Sequence, residues 1–395
     1  MSRTCQLSMA LVCAVSAAAQ QVTDSAGIRV VNYSRGSAPL ERWTLEMALE
    51  IGRGAAEGPQ SFAEIMGVAR LSDGRISVAN RLPSEIRIFS EDGRFVRSLG
   101  RNGQGPGEFN PVLWRLLRSA DTLIGIDNSG RAQLFGPSGD LVRSLQRPRP
   151  PEALSSPSRL AFDRAGNALV QALEPTTSPE ATIHQIIWRE SPDGARHERV
   201  LRFFAVEPVA RRGPRPMIEV YGALGVVAAN SDRMCAGVSN RFAFDCFGPN
   251  GQPTLFIRGT MERKEISEDD RRFFREAHIA ANKGARPEVI RGIEESNRLT
   301  QFASHAPLFT RLVLATNGQL WVSEFDRSNN MLGPPPYRRP QRSLRWSVFD
   351  SDGRWRADVQ TPARFMLFEA GADYVIGATL GEDDVDHVTL YRIRR

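Results

Sequence analysis

The sequence predicts an all-β fold built from repeated four-stranded sheets. In the stretch 62–109, short apolar runs alternate with turn signals such as Asp73-Gly74 and Asp92-Gly93. Asp or Asn followed by Gly is typical of tight hairpin turns, because these residues accept positive φ angles. The same order of apolar run and turn recurs along the 395 residues, and the 33 Gly and 25 Pro suit a chain with many turns.

The N-terminal segment 1–19 resembles a secretory signal peptide. Arg3 provides a positive charge, 7–18 is apolar, and three alanines precede Gln20 as a small-residue cleavage site. The apolar run is too short to span a bilayer. We therefore expect a periplasmic or secreted protein; the alternative is a disordered start of a cytosolic chain. Lipoprotein processing at Cys13 is not expected, because bulky Val12 precedes it.

Residues 20–40 are interpreted as an N-terminal extension, and 41–395 as one repeat domain. The connection after the first unit, 97–112, aligns with 49–65, so that Gly100 matches Gly52 and Phe109 matches Phe62. The segment 43–51 is therefore the last strand of a unit whose other strands lie elsewhere. The C-terminal segment 364–393 provides three strands and lacks a fourth, so the two ends are expected to complete one sheet.

Six units result from this count. They span 62–99, 112–145, 159–203, 224–258, 308–359, and 364–393 together with 43–51. Joining the first and last sheets closes a ring and leaves no frayed unit. The sequence thus predicts a six-bladed β-propeller closed by an N-terminal strand.

Blade one carries RISVAN, EIRIFSEDGRFVRSLGRNGQGPGEF and the turns between them, and it resembles an NHL repeat. The segment 24–31, DSAGIRVV, followed by this propeller is similar to a family of exported bacterial six-bladed β-propeller proteins. The resemblance implies a fold and an exported location. Its Gly and Phe positions shape the connections between blades and specify no chemistry.

Two cysteines remain after removal of the signal segment, Cys235 and Cys246. They lie on consecutive alternating runs around a turn at Ser239-Asn240, which would place them opposite each other on neighbouring strands. An oxidising compartment favours a disulfide at such a distance. The alternative is a pair of buried free thiols.

Four long insertions, 174–181, 205–221, 261–306 and 326–343, are expected on one face of the propeller. Connections between blades and second-to-third strand loops share that face. The insertion 261–306 is predicted to be helical: Ser267 with three following acids forms a capping box, and Pro287 begins a second helix. This insertion is expected to form either a fixed cap over part of the mouth of the central channel or a movable lid.

Arginines in two of these insertions suggest a binding site. They are Arg211, Arg212, Arg215, Arg338, Arg339 and Arg342. Guanidinium groups suit carboxylates and phosphates, so we expect a ligand-binding or protein-binding module, with an anionic protein, peptide or glycan on the long-loop face over blades three to five. The alternative is that these arginines are only solvated.

A catalytic alternative is a metal-dependent lactonase or hydrolase. Some six-bladed propellers are lactonases that hold calcium in the axial channel, and Glu64, Asp127 and Glu324 are the candidate ligands here. Asp127 also fits a turn-capping role. No G-x-S-x-G, phosphate-loop or H-E-x-x-H motif occurs. No cofactor is therefore expected, except calcium under this alternative.

The net charge is +6, an excess that a few arginine-rich loops could carry, and no basic stripe interleaved with aromatic residues is present in the sequence. This pattern does not favour nucleic-acid binding. No later segment reaches 18 apolar residues, so we expect no transmembrane segment. We expect a monomer.

Overall fold

The computed structural model describes residues 20–34, 37–151, 157–175, 181–212, 215–282, 284–329 and 340–395. The strands in these ranges form the six-bladed β-propeller predicted from the sequence. The predicted signal segment 1–19 lies outside the described residues. Within the described ranges, no helix is long and apolar enough to cross a membrane.

Three strands precede the first complete blade: β1 (Gln21–Ser25), β2 (Ile28–Tyr33) and β3 (Glu41–Ile51). Blade one contains β4 (Ile65–Arg70), β5 (Ile76–Asn80), β6 (Glu85–Phe89) and β7 (Phe95–Leu99). The next connection carries the short parallel pair β8 (Arg101–Asn102) and β9 (Glu108–Phe109). Blade two contains β10 (Leu113–Ser119), β11 (Thr122–Asp127), β12 (Ala132–Phe135) and β13 (Leu141–Leu145). Blade three contains β14 (Ser158–Phe162), β15 (Ala168–Leu173), β16 (Ile183–Glu190) and β17 (His197–Val206).

The second half of the chain adds a hairpin and two helices to the remaining blades. The hairpin is β18 (Pro208–Arg212) and β19 (Arg215–Ile218). Blade four contains β20 (Gly225–Ala229), β21 (Met234–Val238), β22 (Phe242–Phe247) and β23 (Pro253–Gly259), and is followed by α1 (Glu268–Ala280) and α2 (Pro287–Leu299). Blade five contains β24 (Phe309–Leu314), β25 (Leu320–Glu324), β26 (Leu344–Phe349) and β27 (Trp355–Thr361). Blade six contains β28 (Phe365–Ala370), β29 (Tyr374–Leu380) and β30 (Asp386–Arg394).

Strand β3 closes the ring as predicted. From Thr44 to Ile51 it pairs antiparallel with β30 and is the fourth strand of blade six. Its first residues, Glu41 to Trp43, also pair in parallel with β27 of blade five. One strand therefore joins two neighbouring blades, a contact that the repeat count did not predict.

The matched Gly and Phe positions have the same role in both connections. Gly52 and Gly100 have φ angles of +92° and +75°, and a Cβ atom on either would collide with the ring of Phe62 or Phe109, respectively. Both rings are almost fully buried. Each Gly–Phe contact lets the chain turn tightly while one aromatic ring fills the space between two blades.

The N-terminal extension contains two strands that pack on the propeller. Strands β1 and β2 form a hairpin, and β2 pairs in parallel with β23 at the outer edge of blade four. The Tyr33 hydroxyl donates to the Gly353 carbonyl at 2.6 Å and accepts from the Trp355 amide at 2.6 Å, and burial raises the pKa of Tyr33. The extension thus covers an exposed sheet edge and connects blade four to blade five.

The hydrophobic core is divided among the six interfaces between neighbouring blades. Each interface has one cluster of buried apolar side chains, as expected for stacked sheets. The interface between blades five and six is rich in tryptophan, with Trp321 and Trp346 packed edge to face at 6.3 Å. Stability therefore depends on contacts around the whole ring.

The predicted disulfide is present in blade four. Cys235 and Cys246 are directly opposite each other on β21 and β22, and their sulfur atoms are bonded. Both residues are fully buried.

Replacing both Cys235 and Cys246 by Ala is expected to lower the free energy of unfolding by about 2–3 kcal/mol, since the closed loop is short. Urea unfolding of the oxidised protein and the double variant measures this difference. Dithiothreitol should destabilise the wild type by a similar amount and leave the variant unchanged. Equal midpoints for all samples would contradict the prediction.

The helical insertion forms as predicted. Ser267 is the N-cap of α1, where its hydroxyl accepts from the Asp270 amide while the Asp270 carboxylate accepts from the Ser267 amide. Pro287 is the first residue of α2. Both helices therefore begin at the residues that the sequence signals indicated.

Candidate functional site

The long connections of blades three to five lie on one face of the propeller, which we call the long-loop face. The connection from blade three to blade four carries the β18–β19 hairpin, and the connection from blade four to blade five carries α1 and α2. The second-to-third strand loop of blade five contributes a 3₁₀ turn at Arg327–Asn329. Parts of two predicted insertions, 176–180 and 330–339, lie outside the described residues.

A small apolar cluster holds these connections together. Tyr221 packs edge to face on Phe325, with ring centroids 5.3 Å apart, and Phe274 of α1 packs on Phe302 at 5.4 Å. Ile266 and Ala306 complete its buried part. Burial raises the pKa of Tyr221 to about 12, so its hydroxyl is neutral at physiological pH. The insertion therefore has its own small apolar core.

An arginine connects α1 to blade five. Arg327 contacts Asp269 at 2.6 Å and Asp270 at 2.8 Å, and its guanidinium lies 4.7 Å from the ring centroid of Phe273. The hydrogen bond from Arg327 lowers the pKa of Asp269. Burial acts in the opposite direction on Asp270, but hydrogen bonds from Ser267 and Arg327 lower its pKa overall. These carboxylates are ionised and fix the position of the helix N-terminus.

A pocket of about 410 Å³ opens between α1 and blade five. We call it the acidic pocket. Its charged lining residues are Glu262, Lys264, Glu265, Asp269, Asp270, Glu324, Asp326, Arg327 and Arg342. Tyr221, Pro307 and Phe325 contribute to its apolar floor. Six carboxylates thus face three cationic side chains, and one of those cations, Arg327, is already engaged by two of the carboxylates.

The predicted arginines do not form one described cluster. Arg342 is exposed and lines the acidic pocket. Arg211, Arg212 and Arg215 lie on the β18–β19 hairpin, and their side chains are outside the described part of the chain. Arg338 and Arg339 also lie outside the described residues. An anion site built from these arginines stays a prediction.

The three candidate calcium ligands occupy separate environments. Glu64 pairs with Arg81 at 2.7 Å. The buried carboxylate of Asp127 accepts from the Ser129 and Arg131 amides at 3.0 Å, as expected for a turn-capping residue. Glu324 lines the acidic pocket. In the part of the chain that the structure describes, no group of three or more His, Cys, Asp or Glu side chains is placed to hold a metal ion.

The axial channel also differs from a carboxylate-lined metal site. Its central cavity of about 470 Å³ is lined by the first strands of all six blades, with Gln171 of β15. Most lining side chains are apolar, and the charged ones are Arg115 and Arg311. The described lining therefore contains no carboxylate side chain, whereas calcium sites commonly use several.

Sequence reasoning missed the acidic pocket. It assigned the acids after Ser267 to helix capping and did not connect them with Glu262, Glu265, Glu324 or Asp326. The segments 262–270 and 324–327 are both acid-rich, but they are far apart in sequence. Only the docking of α1 on blade five brings them to one cavity.

Comparison with known proteins supports the fold. A family model described as DUF5128, 6-bladed beta-propeller, matches residues 62–112. No curated protein matches the sequence. The match covers blade one and the connection to blade two, which is the same part that resembles an NHL repeat.

Similar solved structures are distant in sequence. A protein named as exported, from Bacteroides fragilis, has a TM-score of 0.50 and 11% identity over 93% of this chain and 100% of its own. A DUF4221 family member from Bacteroides vulgatus has a TM-score of 0.52 and 10% identity over 90% and 99%. The calcium-binding protein regucalcin from Agrobacterium tumefaciens has a TM-score of 0.39 and 8% identity over 87% and 94%. At these identities the two Bacteroides structures indicate a similar fold and nothing about function, and the similarity to regucalcin is too low to support a conclusion.

Proposed function

We propose that this protein is an exported binding module whose long-loop face holds a ligand or a partner protein. The main supporting observation is the acidic pocket, whose walls come from the four-to-five insertion and from blade five. Loops positioned by a rigid scaffold commonly carry binding residues. The apolar cluster under α1 and the Arg327 pair make the pocket largely pre-formed, and this reduces the entropy lost on binding.

The charges of the pocket favour a cationic ligand group, such as a lysine-rich or arginine-rich peptide segment. Glu265 and Glu324 are exposed on its lining. The whole chain carries a net charge of +6, so this pocket has the opposite sign to the protein around it. Such a local patch orients a cationic partner toward one place on the surface.

An anionic ligand is the second candidate. Its supporting observation is the β18–β19 hairpin on the long-loop face, whose sequence contains three arginines within five residues. A glycan or peptide carrying carboxylates would suit their guanidinium groups. The two candidates use different parts of the face, so one experiment can separate them.

We expect labelled pentalysine to bind more tightly than labelled pentaglutamate, as measured by fluorescence anisotropy at low ionic strength. The double variant Glu265→Gln/Glu324→Gln should weaken pentalysine binding about tenfold, or ~1.4 kcal/mol. Added salt should weaken it further, because the site is open to solvent.

The matched control is Glu288→Gln/Glu295→Gln, which removes two exposed carboxylates from α2 outside the pocket. Equal affinity of both double variants for pentalysine would refute the cationic-ligand proposal. Tight pentaglutamate binding that is lost in Arg211→Ala/Arg212→Ala/Arg215→Ala would instead select the anionic candidate.

We also propose that the protein is exported from the cytoplasm. The buried Cys235–Cys246 disulfide suits an oxidising compartment, and the segment 1–19 has the pattern of a signal peptide. Fractionation of the native host followed by immunoblotting tests this location. A full-length band in the cytoplasmic fraction would contradict it.

A calcium-dependent lactonase is less well supported by the geometry. Glu64, Asp127 and Glu324 form no common cluster, and the described channel lining carries arginines. Elemental analysis of protein purified without chelators tests this alternative. One calcium ion per chain would support it.

A further inference from the structure

The axial channel is a second cavity, separate from the acidic pocket. The two share no lining residue. The first strand of each blade runs from the long-loop face toward the opposite face, so residues later in these strands lie deeper in the channel. Apolar residues such as Trp114, Leu160, Val227, Leu314 and Phe368 are the most numerous in its lining.

Polar contacts between blades narrow the deep end of the channel. Arg118 and Glu369 come directly after the lining residues Leu117 and Phe368, and they pair across blades two and six at 3.0 Å. The Glu369 carboxylate also accepts from the Arg70 amide at 3.1 Å and the Tyr374 hydroxyl at 2.6 Å. The carboxylate of Glu369 is therefore engaged by groups at this end of the channel.

Arg115 projects into this cavity from blade two. Its guanidinium donates to the Arg159 carbonyl at 3.2 Å, and no described carboxylate lies within ion-pair distance of it. Arg115 is only partly exposed to solvent. This burial lowers the pKa of Arg115, although a guanidinium keeps its charge at physiological pH. A ligand that supplies a negative charge would offset the cost of this partial burial.

Arg311 is the second cation of the lining, on blade five. It donates to the Leu367 carbonyl at 3.0 Å and contacts the Met366 sulfur at 2.8 Å. Its guanidinium also lies 5.9 Å from the ring centroid of Trp346. These contacts hold the guanidinium toward blade six while the residue lines the cavity. Two cations and many apolar side chains thus line one space of about 470 Å³, within the size range of small-ligand sites.

We infer that the axial channel binds a small organic anion with an apolar body, such as a medium-chain carboxylate. Arg115 contacts the anionic head, Arg311 adds positive potential, and the apolar walls cover the rest of the molecule. The ligand enters from the long-loop face, because the Arg118–Glu369 pair and the Ser119–Ser231 contact at 3.4 Å narrow the other end. This inference does not depend on the proposed function of the acidic pocket.

Isothermal titration calorimetry of the full mature chain with decanoate, 1-decanol and decylammonium tests the inference. We expect decanoate to bind with one site per chain and at least tenfold more tightly than the other two probes. Arg115→Met, which keeps the length of the side chain and removes its charge, should reduce decanoate affinity at least tenfold. It should leave 1-decanol affinity within twofold, and Arg115→Lys should recover part of the loss.

Arg94→Met is the matched control, because it removes an exposed arginine from a blade-one turn. Equal decanoate affinity in Arg115→Met and Arg94→Met would overturn the inference. Equal binding of decanoate and 1-decanol to the wild type would also overturn it, and this comparison needs no variant to fold. The pentalysine assay uses the opposite charge, so failure of one proposal is distinguishable from failure of the other.

Discussion

Trp43→Ala is expected to lower the free energy of unfolding by about 3–5 kcal/mol. Trp43 is only 4% exposed and lies in the apolar cluster between blades five and six. Its indole nitrogen donates to Glu41 at 2.6 Å. Removing this ring leaves a cavity at the point where β3 joins β27 and closes the ring. The loss is measured by urea unfolding, followed by far-ultraviolet circular dichroism.

Met47→Ala is the matched control for this prediction. Met47 lies on the same strand but is 52% exposed, so its truncation should change the free energy of unfolding by about 0.5 kcal/mol or less. If both variants unfold at the same urea concentration, the Trp43 side chain does not stabilise the closure of the ring as we expect.

Arg159→Met is expected to cost about 3–5 kcal/mol of unfolding free energy, because it leaves the carboxylate of Glu190 buried without its partner. Arg159 is 2% exposed and pairs with Glu190 at 2.8 Å. Its guanidinium also donates to the carbonyls of Gly130 at 3.2 Å and Gln146 at 2.8 Å, which belong to blade two and the connection after it. This one side chain therefore links blades two and three. Chemical unfolding of the variant measures the loss.

Two comparisons isolate the buried charge as the cause. Arg159→Met/Glu190→Met should recover much of the lost stability, since it removes both charges. Arg164→Met breaks the exposed pair with Asp232 and should leave the urea midpoint almost unchanged, because solvent screens exposed ion pairs. A double variant as unstable as the single one would show that the carbonyl contacts, and not the charge, dominate.

Most of the fold could be predicted because its signals are local. Hairpin turns such as Asp73-Gly74 and alternating apolar residues report on neighbouring strands, and counting them predicted six blades and the closing strand. The disulfide was predictable for the same reason, since a short hairpin places Cys235 and Cys246 opposite each other. The α1 cap at Ser267 likewise depends on residues within one turn.

The N-terminal hairpin shows where local signals end. The segment 28–33 has an apolar pattern, but nothing in it indicates a parallel pairing with β23, more than 200 residues away. The same limit applies to the predicted site. The six candidate arginines were chosen as an anion site because they are numerous in two insertions. The pocket beside Arg342 is nevertheless acidic, because Glu324 and Glu265 both line it.

Arg115 illustrates the difference most clearly. In the sequence it is one arginine in an alternating strand, and nothing distinguishes it from the solvated arginines of the outer strands. Only the closed ring places it in the channel, away from any described carboxylate.

The sequence by itself therefore determined the blade count, the strand that closes the ring, the disulfide and the start of each inserted helix. These depend on turn chemistry and on alternation over a few residues. The tertiary structure alone decided which charges meet in the acidic pocket and which side chains line the axial channel. Those contacts join residues from different blades, and their spacing is set by how the sheets pack around the axis.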